Sequence, residues 1–308
     1  IAARNAGVKN FDKFHNSGYK GLYNGETAND IYVEHIKDDG TIELLSATYD
    51  EETKMVTFKG DGFSYYRIRS GGAGRTETVS RVYGLSRCDT AMKAADTLKE
   101  VLNISKFDTV IVANAQNFAD ALGGSYLAAA KDAPILMTNI QSEAKVKDYI
   151  RNNLKNGGTI YILGGPLAVA SSFETGMTGF NVKRLYGTSR YDTNLEILKE
   201  AGVTKKSEVL VCTGTNFADS LSASATGKPI LMVGNSLTAN QKTFLDGLSG
   251  NYTIIGGPLA VNANVENELK ALGNTERIYG TSRFDTSVVV AQQFFRSPEA
   301  MVLAYAQN

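Results

Sequence analysis

The chain has 308 residues, 43% hydrophobic and 21% charged, which is the balance of a globular protein long enough for two or three domains. Lys+Arg and Asp+Glu both total 32, and a formal net charge of zero argues against the broad basic footprint that a nucleic-acid partner requires, leaving only a local basic patch open. The only two His, His15 and His35, both lie ahead of a set of repeated motifs that begins at Arg81, so no repeat can hold a Ser-His-Asp triad or a His-based zinc site, and no metal or cofactor is expected.

From the N-terminus, Ile31–Ile36, Thr41–Tyr49 and Met55–Arg69 read as three β-strands, separated by Asp39-Gly40 and by residues 51–54. A three-stranded meander is marginal alone. It is expected to pack on the first repeat or to close a larger β-domain, and Gly71-Gly-Ala-Gly74 reads as its linker. Beyond it, Phe107–Ala113, Pro134–Met137, Thr159–Leu163, Glu208–Cys212, Pro229–Met232 and Tyr252–Ile255 are continuously apolar, the pattern of strands buried on both faces. Helical patterns such as Thr193–Ala201 and Val265–Leu272 lie between them, with Gly202 and Gly273 as C-terminal stops. Alternating strand and helix predict mostly parallel sheets covered by helices. A last strand is expected at Met301–Tyr305.

The elements repeat. Arg81–Thr90 (RVYGLSRCDT) returns as Arg184–Thr193 (RLYGTSRYDT) and again as Arg277–Thr286 (RIYGTSRFDT). Asn117–Leu122 (NFADAL) returns as Asn216–Leu221 (NFADSL), and Gly164–Val169 (GGPLAV) returns unchanged as Gly256–Val261. The period, near one hundred residues, is that of a small domain rather than a solenoid repeat. The expected organisation is a β-rich segment over 1–74, modules over 75–181 and 182–275, and an incomplete third module over 276–308. The third module cannot bury a core alone, so either further residues complete it or it docks on its neighbour.

Most repeated polar residues have a structural reading. Ser86, Ser189 and Ser282 stand three positions before Asp89, Asp192 and Asp285, which is capping-box spacing. Asn117 and Asn216 stand in the same relation to Asp120 and Asp219. Arg87, Arg190 and Arg283 are different, because each falls in a first helical turn, where a cation opposes the helix dipole. Two compensations are open: a salt bridge to Asp120, Asp219 or an Asp of an adjacent module, or an anionic ligand held by the guanidinium. Gly164-Gly165 and Gly256-Gly257 follow strands and suit a tight turn whose N–H groups can cradle an anion, but they lack the spacing and the Lys of a nucleotide loop. Ser220, Ser222 and Ser224 have no base nearby in sequence.

In a parallel sheet these motifs all gather at the carboxyl edge, where open α/β folds bind ligands, and repetition would add avidity. Cys88 and Cys212 lack metal-ligand spacing, and Cys212, in the apolar run Val209–Cys212, reads as a buried free thiol. No apolar run approaches the length of a membrane span. The chain starts at Ile1 without Met or a signal peptide and reads as a mature or shortened form.

Taken together over residues 78–308, these motifs resemble the cell-wall-binding repeat of type 2, found in surface-layer and cell-wall proteins of clostridia and related Firmicutes. The resemblance implies an extracellular, cell-surface location and non-covalent anchoring to an anionic secondary wall polymer of the teichoic-acid kind. It implies tandem Toprim-like modules in a pseudo-threefold arrangement, usually beside a domain that supplies a separate activity. The Phe58–Tyr66 stretch resembles the last strands of a surface β-domain of that sort. The family's anchoring motif Ile-Leu-Leu falls on Ile135-Leu136-Met137 and Ile230-Leu231-Met232, with Met as the third residue in both. The candidate polymer-binding set is therefore Arg87, Arg190, Arg283, Ile135, Leu136, Ile230, Leu231, Asn117, Asn216, Gly165 and Gly257, with Asp89, Asp120, Asp192, Asp219 and Asp285 as caps or salt-bridge partners. No catalytic residue is assigned. The alternatives are a wall hydrolase using the Arg/Asp clusters, and an architectural protein whose repeats contact surface-layer subunits.

Overall fold

The computed structural model describes residues 14–15, 31–37, 41–50, 55–59, 65–69, 81–205, 207–248, 250–295 and 301–304. The chain divides into two compact units, Ile1–Ser80 and Arg81–Asn308. The Gly71–Gly74 linker lies outside the described residues.

Among its described residues, the first unit is an antiparallel sheet of five strands. It comprises β1 (Phe14–His15), β2 (Tyr32–Ile36), β3 (Ile42–Asp50), β4 (Met55–Phe58) and β5 (Tyr65–Arg69), in the order β1-β4-β3-β2-β5. The stretch expected as one strand, Met55–Arg69, is two strands on opposite sides of the β2–β3 hairpin, β4 pairing with β3 and β5 with β2. The sequence between them, Lys59-Gly-Asp-Gly62, has the turn chemistry that a continuous strand excludes. Ile31, Val33, Tyr49, Val56 and Phe58 form the core of this sheet.

The second unit contains two parallel sheets. The first repeat runs α1 (Arg87–Leu102), β6 (Phe107–Asn114), α2 (Phe118–Gly123), α3 (Ser125–Ala130), β7 (Ile135–Thr138), α4 (Glu143–Asn153), β8 (Leu154–Leu163), α5 (Ser172–Thr175) and β9 (Asn181–Leu185). The second runs α6 (Arg190–Glu200), β10 (Glu208–Thr213), α7 (Ala218–Ser224), β11 (Ile230–Val233), α8 (Ala239–Asp246), β12 (Asn251–Ile255), α9 (Ala263–Leu272) and β13 (Asn274–Ile278), and α10 (Arg283–Phe294) comes after it. The strand orders are β7-β6-β8-β9 and β11-β10-β12-β13, with every pairing parallel. The central strands carry no exposed surface at Val110–Ala113 or Val209–Cys212, as their unbroken apolarity requires.

Covalent repeat and folded sheet are offset by one strand. Strand β9 leads directly into the Tyr-Gly-Thr-Ser-Arg motif of the second repeat, yet it pairs with β8 and completes the first sheet. Strand β13 does the same for the second sheet. The next helix then serves two sheets at once. Leu195 and Leu198 of α6 enter the core of the second sheet, while Ile197 enters that of the first. The 3.6-residue period puts these residues on opposed faces of one helix. Helix α10 repeats half of this pattern, burying Val290 against the second sheet, with Phe294 packed alongside. Of the strand expected at Met301–Tyr305, the described residues 301–304 are irregular and exposed, and Tyr305 lies outside the described residues. A parallel strand is held by hydrogen bonds to its neighbours, and among the described residues this segment has none.

Candidate functional site

The repeated Ser and Asp of the first motif fold each helix start in the same way. Ser86, Ser189 and Ser282 are the N-caps of α1, α6 and α10, with near-identical backbone angles, and each accepts a 3.2 Å hydrogen bond from the N–H of Asp89, Asp192 or Asp285. The Ser hydroxyls in turn donate to the three carboxylates at 2.9, 2.8 and 3.0 Å. Hydrogen bonds hold all three acids below the usual carboxylate range: from Lys145 and Ser86 to Asp89, from Thr188, Asn240 and Ser189 to Asp192, and from Thr281 and Ser282 to Asp285. Thr90, Thr193 and Thr286 accept from the N–H of Gly84, Gly187 and Gly280 and close the turn before each helix. The three Ser and Asp pairs thus cap the starts of α1, α6 and α10.

The arginines occupy the first helical position, and among the described residues no salt bridge compensates Arg87 or Arg190. Arg190 donates from Nη1 to the carbonyl of Gly214 at 2.6 Å, and its guanidinium carbon lies 5.7 Å from the ring centroid of Phe118 in the preceding repeat. Among the described residues, no carboxylate lies within ion-pair distance of Arg190. Arg283 stacks in the same way on Phe217, at 5.6 Å. Arg87 donates to the carbonyl of Ala115 at 2.7 Å, the counterpart of the Gly214 bond, and is exposed. The two Phe rings themselves meet at 6.2 Å with a tilt of 59°, so the Asn-Phe-Ala-Asp motifs converge.

Asp120 and Asp219 differ from the capping acids. Asn117 caps α2 by accepting from the N–H of Ala119 at 3.1 Å, and Asn216 accepts from the N–H of Ala218 at 3.2 Å. The two Asp, by contrast, accept no side-chain hydrogen bond from any described residue. Burial pushes both carboxyls above the usual range, and the charge of Arg190 or Arg283 only partly offsets it. Each carboxylate lies against a glycine, Asp120 on Gly164 and Asp219 on Gly256, leaving no room for a β-carbon. Those glycines have φ of +97° and +116°, which a side chain would strain.

On the next residue, each turn meets a tyrosine. Tyr186 lies against Gly165 and Tyr279 against Gly257, so close that a β-carbon added to either glycine would stand 3.4 or 3.2 Å from the ring. Both rings remain about half exposed, and Leu167 and Leu259 of the same turns are fully exposed. The turn is clamped from behind by Arg184, which donates to the carbonyl of Gly164 at 2.8 Å and to Glu174 at 2.6 Å, and in the second repeat by Arg277, which donates to the Gly256 carbonyl at 2.7 Å and to Glu266. These Arg, Tyr and Leu residues belong to the repeated motifs, yet sequence reasoning assigns them no role. The retention of an apolar Leu at the same solvent-facing register in two repeats is the signal that could have found them.

The Ile-Leu-Met segments are edge strands, and they are core. Leu136, Ile230 and Leu231 have no exposed surface and Ile135 is half-buried, so direct contact between these leucines and a polymer at the surface is not available. The open edge of β11 is satisfied by side chains instead: Asn194 donates to the Ile230 carbonyl and accepts from the Met232 N–H, both at 2.9 Å, and Gln241 donates to the Met232 carbonyl at 2.7 Å. Cys88 and Cys212 are buried free thiols, and burial raises the Cys212 thiol well above its usual range. Among the described residues, no His/Cys/Asp/Glu group is placed to hold a metal, and no helix is long and apolar enough to cross a membrane.

The motifs all follow strands of all-parallel sheets, so Asn117, Gly164-Gly165 and Arg190 share one carboxyl edge, and Asn216, Gly256-Gly257 and Arg283 share the other. The Amidase enhancer of Bacillus subtilis (strain 168) is 29% identical over 271 residues, 86% of this chain and 36% of the relative. N-acetylmuramoyl-L-alanine amidase LytC of the same organism is 29% identical over 227 residues, 70% of this chain and 43% of the relative. The chain therefore spans less than half the length of these relatives. Among solved structures, Cwp6 from Clostridium difficile matches with a TM-score of 0.60 at 18% identity, covering 89% of this chain and 53% of that one. Cwp8 from the same organism matches at 0.62 and 24%, covering 87% and 49%. The family Cell wall binding domain 2 (CWB2) matches residues 81–174 and 184–266, more than half of the chain, and with the repeated carboxyl-edge motifs this makes the chain a member of that family of cell-wall-binding modules.

Proposed function

We propose that the chain anchors a protein non-covalently in a Gram-positive cell wall by holding an anionic secondary glycopolymer of the teichoic-acid kind at the carboxyl edges of its sheets, with no chemistry of its own. One observation supports this above the rest. The set Arg190, Asp120 and Gly164 recurs as Arg283, Asp219 and Gly256, with a partly buried carboxylate that no described residue hydrogen-bonds. A half-buried guanidinium suits a phosphate or carboxylate of the polymer, and an unpartnered carboxylate suits a hydroxyl donor beside it. Asn117 and Gly165 lie on the edge that carries Arg190, Asn216 and Gly257 on the edge that carries Arg283, and two such sites on one polymer add avidity. Arg87 offers the same group in an exposed position.

Co-sedimentation with isolated Gram-positive walls tests the proposal. Binding to native walls, its loss on walls stripped of phosphodiester-linked polymer by hydrofluoric acid, and weakening with added salt are expected. Equal retention on stripped walls, or none on native walls at low salt, overturns it. The carboxyls of Asp120 and Asp219, which burial holds above the usual carboxylate range, are what favours the hydrolase alternative, since a general acid needs a raised carboxyl. Release of wall fragments that disappears with Asp120→Asn would support that alternative. A hydrolase normally needs a second proton-transfer group, and the repeats contain no His.

A further inference from the structure

Consecutive glycines join two chemically different surfaces. Gly164 carries the Asp120 carboxylate against it and Gly165 the ring of Tyr186; Gly256 and Gly257 do the same for Asp219 and Tyr279. Neighbouring Cα atoms are only about 3.8 Å apart, so each turn meets a carboxylate that no described residue hydrogen-bonds at one glycine and an aromatic ring at the next. The turn then adds a leucine, Leu167 or Leu259, with its whole side chain in solvent, although Val169 and Val261 two residues on are buried. A loop that can bury one apolar residue and exposes another at the same place in both repeats is displaying it.

From this juxtaposition we infer that Tyr186 with Leu167, and Tyr279 with Leu259, are sugar-stacking platforms. Each receives the apolar face of one pyranose ring of the wall glycopolymer while Asp120 or Asp219 accepts from that sugar's hydroxyls. A pyranose is amphipathic in the required sense, with C–H bonds on one face and hydroxyls around the rim. A tyrosine backed by glycine presents a flat surface at low entropic cost. The inference rests on the wall-polymer reading and adds what the arginines cannot supply, selection for a sugar rather than for charge alone.

The chain contains no Trp, so Tyr186→Trp and Tyr279→Trp each place a single fluorophore on one platform. Polymer released from Gram-positive walls is expected to shift the emission of both variants to shorter wavelength, while inorganic polyphosphate, an anion without a sugar, leaves it unmoved. The double variant Tyr186→Ala/Tyr279→Ala is expected to bind walls about tenfold more weakly with its melting temperature within a few degrees of the parent, since two lost stacking contacts add on one polymer. The inference is overturned, with wall anchoring left standing, if the parent binds walls and the alanine variant binds them equally well. It is also overturned if emission follows polyphosphate, or if it follows protein concentration alone, which would assign the patch to self-association. A parent chain that binds no wall polymer brings down both readings together.

Discussion

The Arg190 guanidinium of the second repeat lies over the ring of Phe118 in the first, 5.7 Å from its centroid, while bonding the Gly214 carbonyl of its own repeat. One side chain thus spans a helix start, a strand end and the preceding module. Helix α6 makes the same connection on a larger scale by contributing to both sheet cores.

Replacing Arg190 with Ala removes the ring contact and the carbonyl bond and leaves Asp120 buried without its offsetting cation. A loss of about 2–3 kcal/mol is expected from those terms together. A double-mutant cycle with Phe118→Ala, read by urea unfolding, should give a coupling of roughly 0.5–1 kcal/mol. Fold loss is expected to exceed the loss of wall affinity. Affinity lost at unchanged stability would instead make Arg190 chiefly a ligand contact.

Asp120 predicts a pH dependence of the opposite sign to the capping acids. Its folded pKa is raised, so ionisation disfavours the native state, and the penalty develops as pH rises from the unfolded-state value through the folded one. Asp120→Asn removes that penalty. The variant should melt higher than the parent at neutral pH, with the difference closing as pH falls below the ordinary carboxylate range, while wall binding drops. Asp192→Asn should behave in reverse. Its folded pKa is lowered, so its contribution is present at neutral pH and disappears on acidification. Melting curves across pH 3–7 read out both (the pH span is roughly that of carboxylate titration).

Asn194 is buried at 2% exposure and exchanges two hydrogen bonds with the edge strand β11. Asn194→Leu keeps the volume but strands the Ile230 carbonyl and the Met232 N–H away from water. A cost of about 2–4 kcal/mol is expected. Amide exchange at Met232 should rise in the variant before the central strand β10 is affected.

What the sequence disclosed, and what it hid, divides by distance along the chain. The Ser189–Asp192 cap and the Gly187–Thr193 turn bond are local and were legible as spacing, because each is closed within seven residues. The buried strands were legible from their unbroken apolarity. The β9 strand was not, because nothing in Asn181–Leu185 says which sheet it will join, and its pairing with β8 shows only in the folded structure. Arg190 was legible as an anomaly, a cation at a helix start, but its answer lies seventy-two positions upstream on Phe118. The exposure of Tyr186 and Leu167 was not legible, because exposure is a property of the folded surface, and the one mark the sequence carries is the return of Leu167 as Leu259 in the second repeat.

The Ile-Leu-Met segments offer the sharpest separation of packing from binding. Leu231 has no exposed surface and sits in a core with Leu195, Val209, Val211 and Ile254, so Leu231→Ala opens a cavity there. A loss of about 2–5 kcal/mol is expected. Because this side chain has no exposed surface, wall binding should fall only in proportion to the unfolded fraction. Cooling, or a stabilising osmolyte that restores the native population, should restore binding to the parent level. Leu136→Ala should do the same through the first core, where Leu136 packs with Val110, Val112 and Ile160. A fully folded Leu231→Ala protein that still fails to bind walls would show instead that the edge strand opens to the polymer. In that case Asn194→Leu, which frees the same edge, would strengthen binding rather than weaken it.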